Sequence, residues 1–193
     1  VSLFLAEALE ALAVLSNFSR LVIDPNRGED DPTLLMKLYD GSVIPGNRHA
    51  GPEEKARRVA AYHRPYHGAL AELAGRQADT VIVSVHSFTP QLRGRPVRPW
   101  HLGILHAHDS RLSDPLIDSL DAEPDLVVGR NMPYTGELPG DAIDRHALQH
   151  GRHNVLIEVR NDLIGTPEAQ AAWGARLAPH LEHALTRAEA GGA

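Results

Sequence analysis

Cysteine is absent from the 193-residue sequence, which excludes disulfide scaffolds, thiolate zinc fingers and cysteine nucleophiles together. Any metal must therefore rest on histidine and carboxylate. No apolar run approaches the roughly 18 residues of a membrane span. The apolar opening, VSLFLAEALEALAVLS, is interrupted by Glu7 and Glu10 and has no basic residue ahead of it, so it lacks the build of a signal peptide. A cytoplasmic location without membrane contact is expected. Basic charge is in deficit: 19 Lys and Arg against 25 Asp and Glu leave a net charge of −6, which argues against a phosphate backbone and hence against nucleic acid as a partner. What is plentiful is histidine, at 12 residues, well above ordinary usage, so a His-based metal site is worth seeking. With 42% apolar and 23% charged residues the composition is that of a folded chain, and its length suits one domain over residues 1–193.

Segment types alternate along the chain. A helix is expected over about 2–13, where Leu3, Leu5, Leu9 and Leu12 fall near one face. The short apolar segment RLVI at 20–23 then breaks into the polar loop DPNRGEDDP. From Glu53 to Leu73, apolar residues including Val59, Tyr62, Tyr66 and Leu70 recur at helical spacing, with Pro65 as a kink. Strands are expected at 79–86, 101–106, 125–128 and 154–159, and helices at 114–121, near 141–149 and over 167–188, with the tail AEAGGA fraying beyond. This alternation implies an open, mostly parallel or mixed α/β sheet covered on both faces. Chemistry in such sheets collects at the carboxyl ends of strands, which here carry Asp24-Pro25-Asn26-Arg27, His86-Ser87 and Glu158-Val159-Arg160.

Several of these side chains suit catalysis. His86 closes a strand where a metal or substrate reaches it, unless a backbone carbonyl satisfies its imidazole. Glu158 lies inside the apolar run VLIEVR, where a carboxylate is expensive unless it is paired, for instance with Arg160, or functional. Desolvation of that kind also raises a carboxyl pKa toward the general-base range. Arg27 beside Asn26 places a planar fork next to an amide, suited to a carboxylate. Arg93, Arg95 and Arg98 form a basic loop that solvates a surface or draws in an anion. Among the other histidines, His63 and His67 are four apart, but Pro65 between them spoils the regular face a metal pair needs. His146 and His150 share that spacing without an HExxH glutamate. His106 and His108 flank a strand end, and His180 and His183 read as surface residues of the last helix.

Together, LSNFSRLVIDPNRGEDDPT (15–33), VIPGNR (43–48), VSVHSFTP (83–90), RPWHLGIL (98–105), LVVGRNMPYTGELPGDAIDRHAL (126–148) and VLIEVRNDLI (155–164) resemble the N-formylglutamate amidohydrolases, a branch of the zinc carboxypeptidase relatives. The resemblance implies a three-layer α/β/α fold like that of zinc-dependent exopeptidases. It also implies zinc as cofactor and a small anionic N-acyl amino acid as partner, namely N-formyl-L-glutamate from histidine degradation. It makes His86 a zinc ligand and Glu158 the general base. Asn26, Arg27 and Arg160 become substrate-binding residues, and Tyr134 the tyrosine that closes over substrate. Ser87 and His146 stand near the site. The family's HxxE ligand segment lies before the helix that opens this sequence and is not among these residues. By ligand count the purified 193-residue chain is therefore expected to contain much less than one tightly bound zinc and to show no useful deformylase activity. Two other readings compete: an inactive fragment or acidic-ligand-binding module, and a zinc peptidase or other deacylase.

Overall fold

Short runs of β-branched residues and leucine, IVSVHSF and NVLIEVR, supply the two longest strands. In the computed structural model, which describes residues 1–191, the elements in chain order are α1 (Ser2–Ala8), β1 (Leu38–Tyr39), β2 (Ser42–Val43), α2 (Pro52–Arg58), α3 (Arg64–Ala74), β3 (Ile82–Phe88), β4 (Leu102–Leu105), α4 (Ser113–Asp121), β5 (Val128–Arg130), α5 (Ala142–His146), β6 (Asn154–Arg160) and α6 (Pro167–Ala190). The chain divides into two compact units. One comprises Val1–Ala13, Val81–Glu137 and the chain from His153 onward; the other comprises Val14–Thr80 and Leu138–Arg152.

The first unit holds a four-stranded sheet in the order β3-β6-β4-β5. β3 and β6 run parallel, β4 runs antiparallel to β6, and β5 runs parallel to β4. The sheet is mixed, so the carboxyl ends of β4 and β5 point away from those of β3 and β6. Alternation along the strands sorts the side chains. Val155, Ile157 and Val159 of β6 join Leu102 and Ile104 of β4, Leu5 of α1, Leu116 and Leu120 of α4, and Leu177 and Leu181 of α6 in one buried cluster. Burying each such Leu or Ile contributes about 1.5–3 kcal/mol, so these contacts fix α1, α4 and α6 on one face of the sheet. Glu158 and Gly103, one residue out of phase, belong to the other face. Several expected boundaries shift, those of the terminal helices among them. α1 stops at Ala8 rather than near 13, because Glu10 takes a left-handed conformation (φ 49°). α6 continues through Ala190, and the last two residues of the tail lie outside the described residues.

The second unit is held largely by side chains rather than by a ladder. RLVI at 20–23 is not a strand: Ile23 packs with Leu34, Leu35 and Val59 in a small cluster. Buried Asn47, from VIPGNR, substitutes for strand pairing. Its Nδ2 donates to the carbonyls of Leu21 (2.7 Å) and Met36 (2.8 Å), and its Oδ1 accepts from Arg58 (2.7 Å). Arg58 also donates to the carbonyl of Val22 at 2.7 Å. The loop DPNR therefore follows an irregular segment, not a strand end. β1 and β2 form a hairpin around Asp40 and Gly41, both at positive φ (47° and 74°), the geometry an Asp-Gly turn favours. α2 passes into α3 through a π turn at Val59–His63, which lies immediately ahead of Pro65 and accommodates the helix to a residue without an N–H.

Candidate functional site

A row of residues crosses the sheet on the face away from α1, α4 and α6. His86 of β3 is the register partner of Glu158 in β6, Glu158 that of Gly103 in β4, and Gly103 that of Gly129 in β5. Adjacent strands lie about 4.8 Å apart, and register partners project to the same face. The imidazole and the carboxylate are thus neighbours by construction. Glu158 is 8% exposed, and Ser84, two residues before His86 and on the same face, places its hydroxyl 3.0 Å from His86 Nε2.

The glycine half of the row is vacated for the chain that follows β5. A Cβ on Gly103 would fall 2.1 Å from the carbonyl oxygen of Met132 and 3.4 Å from Cβ of Glu158, and one on Gly129 would fall 2.8 Å from both Met132 and the Trp100 ring. Only a missing side chain permits that approach. Asn131, at φ 49°, turns the chain here; its N–H donates to the carbonyl of Ile104 (3.0 Å) and its Oδ1 accepts from the His106 amide (2.9 Å). Gly136 seats the far side of the loop, since a Cβ there would lie 2.4 Å from the His106 backbone. The peptide bond between Met132 and Pro133 is cis.

This loop carries Tyr134, which is 37% exposed. Arg98 holds it: Nη1 donates to the tyrosine hydroxyl at 3.1 Å and to the carbonyl of Thr89 at 3.0 Å, and the guanidinium stands 5.1 Å from the Tyr134 ring centroid and 5.7 Å from that of Phe88. Arg160, at the end of β6, pairs through Nε with Asp162 (2.8 Å) and donates to the carbonyls of Arg98 (3.3 Å) and Trp100 (3.4 Å). Its guanidinium braces the segment that bears Arg98. Ser87, next to His86, belongs to the opposite face of β3 and is exposed. His106 and His108 follow β4, whose antiparallel course puts them toward the Asn154 end of β6, away from Glu158.

In the second unit, Asn26 and Arg27 sit on a loop pinned from several sides. Buried Asp24 accepts from the Asn26 amide (2.9 Å) and from Arg20, and its Oδ2 is 3.8 Å from Arg27 Nε. Arg27 donates through Nε to Thr33 Oγ1 (3.1 Å) and through Nη1 to the carbonyl of Asn26 (3.2 Å). The Asn26 side-chain oxygen accepts from the Ala142 amide at 3.4 Å, at the start of α5. Asp141 caps that helix by accepting from Asp144 (2.7 Å), and burial pushes its carboxyl up to about 6. Behind the loop stand His63, His67 and His146, all buried. His63 and His67 share a face, with ring centroids 4.4 Å apart, so Pro65 does not spoil it, although among the described residues they belong to no group of three metal-capable side chains. Burial pushes all three imidazoles down, His67 to about 3 and His146 to about 4. His180 is no simple surface residue either: Ser119 lies 2.7 Å from its Nδ1.

Zinc does not fit the side chains as placed. Among the described residues no three His, Asp or Glu side chains group as a metal cage, whereas catalytic zinc takes three protein ligands. Sequence reasoning missed Arg98 as the partner of Tyr134, the two glycines of the row, and the buried histidines behind Asn26 and Arg27. The glycines stand in RPWHLGIL and LVVGRNMP, but their need for space becomes visible only when the strands are in register.

The family model of N-formylglutamate amidohydrolase matches residues 2–165. The structure is similar to that of a gene product of Agrobacterium tumefaciens, at a TM-score of 0.89 and 38% identity over 96% of this chain and 75% of that one. It also shares the fold of an N-formylglutamate amidohydrolase from Ralstonia eutropha, at a TM-score of 0.63 and 23% identity over 96% of this chain and 79% of that one. No curated protein matches.

Proposed function

We propose, because this chain belongs to the N-formylglutamate amidohydrolase family, that it hydrolyses the amide bond of N-formyl-L-glutamate or a similar N-acylated acidic amino acid. The observation that carries the reading is the register pairing of His86 with Glu158 on one face of the sheet. Glu158, desolvated beside an imidazole, takes a proton from the attacking water; the water oxygen bonds to the formyl carbon, the C–N bond breaks, and the proton passes to the departing amine, giving formate and glutamate. Asn26 and Arg27 supply an amide and a guanidinium for the substrate's carboxylates through charge-assisted hydrogen bonds. Tyr134, tied to Arg98, is the group that closes over substrate. The family resemblance calls for zinc, with His86 as a ligand, but among the described residues no further ligands group with it as a metal cage. Cytoplasmic histidine degradation would supply the substrate. Among the described residues no helix is long and apolar enough to cross a membrane.

A second reading, an acidic-ligand-binding module without turnover, is favoured by the lack of a three-ligand group among the described residues. Two measurements separate them: formate release from N-formyl-L-glutamate with zinc in excess, and calorimetric binding of the same compound. Release supports hydrolysis; binding without release supports the module. A panel of N-acyl amino acids and short peptides distinguishes a deformylase from a peptidase or other deacylase.

A further inference from the structure

The proposed reaction makes no use of the buried imidazoles of the second unit, yet their hydrogen bonds converge on one short stretch of chain. His63 and His67, one helical turn apart, direct Nε2 to alternate carbonyls of the same loop: His63 to that of Arg27 at 2.8 Å and His67 to that of Pro25 at 2.9 Å. A carbonyl only accepts, so each Nε2 carries the proton, and burial, which disfavours the charged form of both rings, leaves Nδ1 unprotonated as an acceptor. His146 completes the chain, with its Nε2 at 2.8 Å from Nδ1 of His67 and the two rings stacked at 5.2 Å. The intervening carbonyl, that of Asn26, faces Arg27 Nη1. Three consecutive carbonyls are thus assigned, two to imidazoles and one to a guanidinium. Apolar side chains would fill the same volume without the cost of burying three polar rings; what the rings add is direction.

We propose that His63, His67 and His146 are positioning residues for Asn26 and Arg27, holding their backbone in the conformation that receives the substrate's carboxylate. This rests on the carboxylate-binding role given above to Asn26 and Arg27. The arrangement is exacting, because a proton on His67 Nδ1 would set N–H against the N–H of His146.

The test compares His67→Leu, which keeps bulk and loses both hydrogen bonds, with His67→Gln, which keeps an N–H near the Nε2 position. Arg27→Met serves as reference, and thermal melting establishes folding. Amide hydrogen exchange at Asn26, Arg27 and Gly28 reads the loop, and calorimetry reads affinity for N-formyl-L-glutamate. His67→Leu is expected to speed exchange at these amides and to weaken binding at least ~10-fold, with His67→Gln recovering most of both. Exchange as slow in His67→Leu as in the wild type would overturn the proposal whether or not ligand binds. Faster exchange with unchanged affinity, while Arg27→Met binds weakly, would overturn it too. If Arg27→Met binds as tightly as the wild type, the carboxylate role of Arg27 fails instead, and exchange still decides whether the imidazoles hold the loop. Should His67→Leu fail to fold, the same Leu and Gln contrast at His63 decides.

Discussion

In the proposed reaction, a carboxylate in the middle of an apolar strand is the residue on which the chemistry turns. Glu158 was legible in VLIEVR because a charge there needs a reason, and its register with His86 gives that reason a location. Replacing Glu158 with Gln keeps shape and removes the base, so turnover should fall by at least ~10² while affinity for substrate stays within a few-fold; near wild-type turnover would remove it from the mechanism. Arg27→Met should weaken substrate binding by about 2 kcal/mol or more through loss of a charge-assisted pair, measured by calorimetry. The buried histidines carry a pH signature. His67 and His146 are held below the ordinary 6.5, at about 3 and about 4, so between those values and 6.5 the unfolded chain binds protons that the folded chain refuses. Their contribution to stability is full above pH 6.5 and is lost as pH falls toward 4. Asp141, raised from 3.8 to about 6, acts in the opposite sense below pH 6, and two imidazoles outweigh one carboxyl. The urea midpoint should therefore be lower at pH 4.5 than at pH 7.5, by less in His67→Gln; an equal or higher midpoint at pH 4.5 contradicts this.

At the scale of elements, legibility followed periodicity. The strands at 154–159 and 79–86 and the last helix read from the sequence because each has an unbroken apolar pattern, and the structure places β6, β3 and α6 there with ends moved by a few residues. β5 slid from the expected 125–128 to Val128–Arg130, since a strand of three residues is defined by its partner rather than by its own pattern. RLVI failed as a strand because Asn47 and Arg58, distant in sequence, take up the carbonyls of Leu21 and Val22. The hairpin of β1 and β2 has no apolar periodicity, both strands being exposed, and its one local signal is the Asp40-Gly41 turn. No local pattern could reveal that Gly103 makes room for Met132. Gly103→Ala should displace the loop bearing Tyr134 and cost about 1–3 kcal/mol, seen as a lower melting temperature; a neutral substitution would show that the loop is not seated on β4.

Across the whole molecule, the family was written in motifs dispersed over most of the chain, and the family match over residues 2–165 agrees with their spread. The zinc site that the resemblance implies was the part least legible, because ligand sets are defined in space and His86 was the one ligand the resemblance could assign. The described ligand set predicts well under one zinc per chain after dialysis, by elemental analysis; one tightly held zinc per chain would mean that residues placed apart here come together around the ion. The most direct test of the account is formate release from N-formyl-L-glutamate with zinc in excess, measured side by side for the wild type and Glu158→Gln. The account predicts release by the wild type and a rate at least ~10² lower in the variant. Equal rates in the two, or tight binding by the wild type with no formate released, would contradict it.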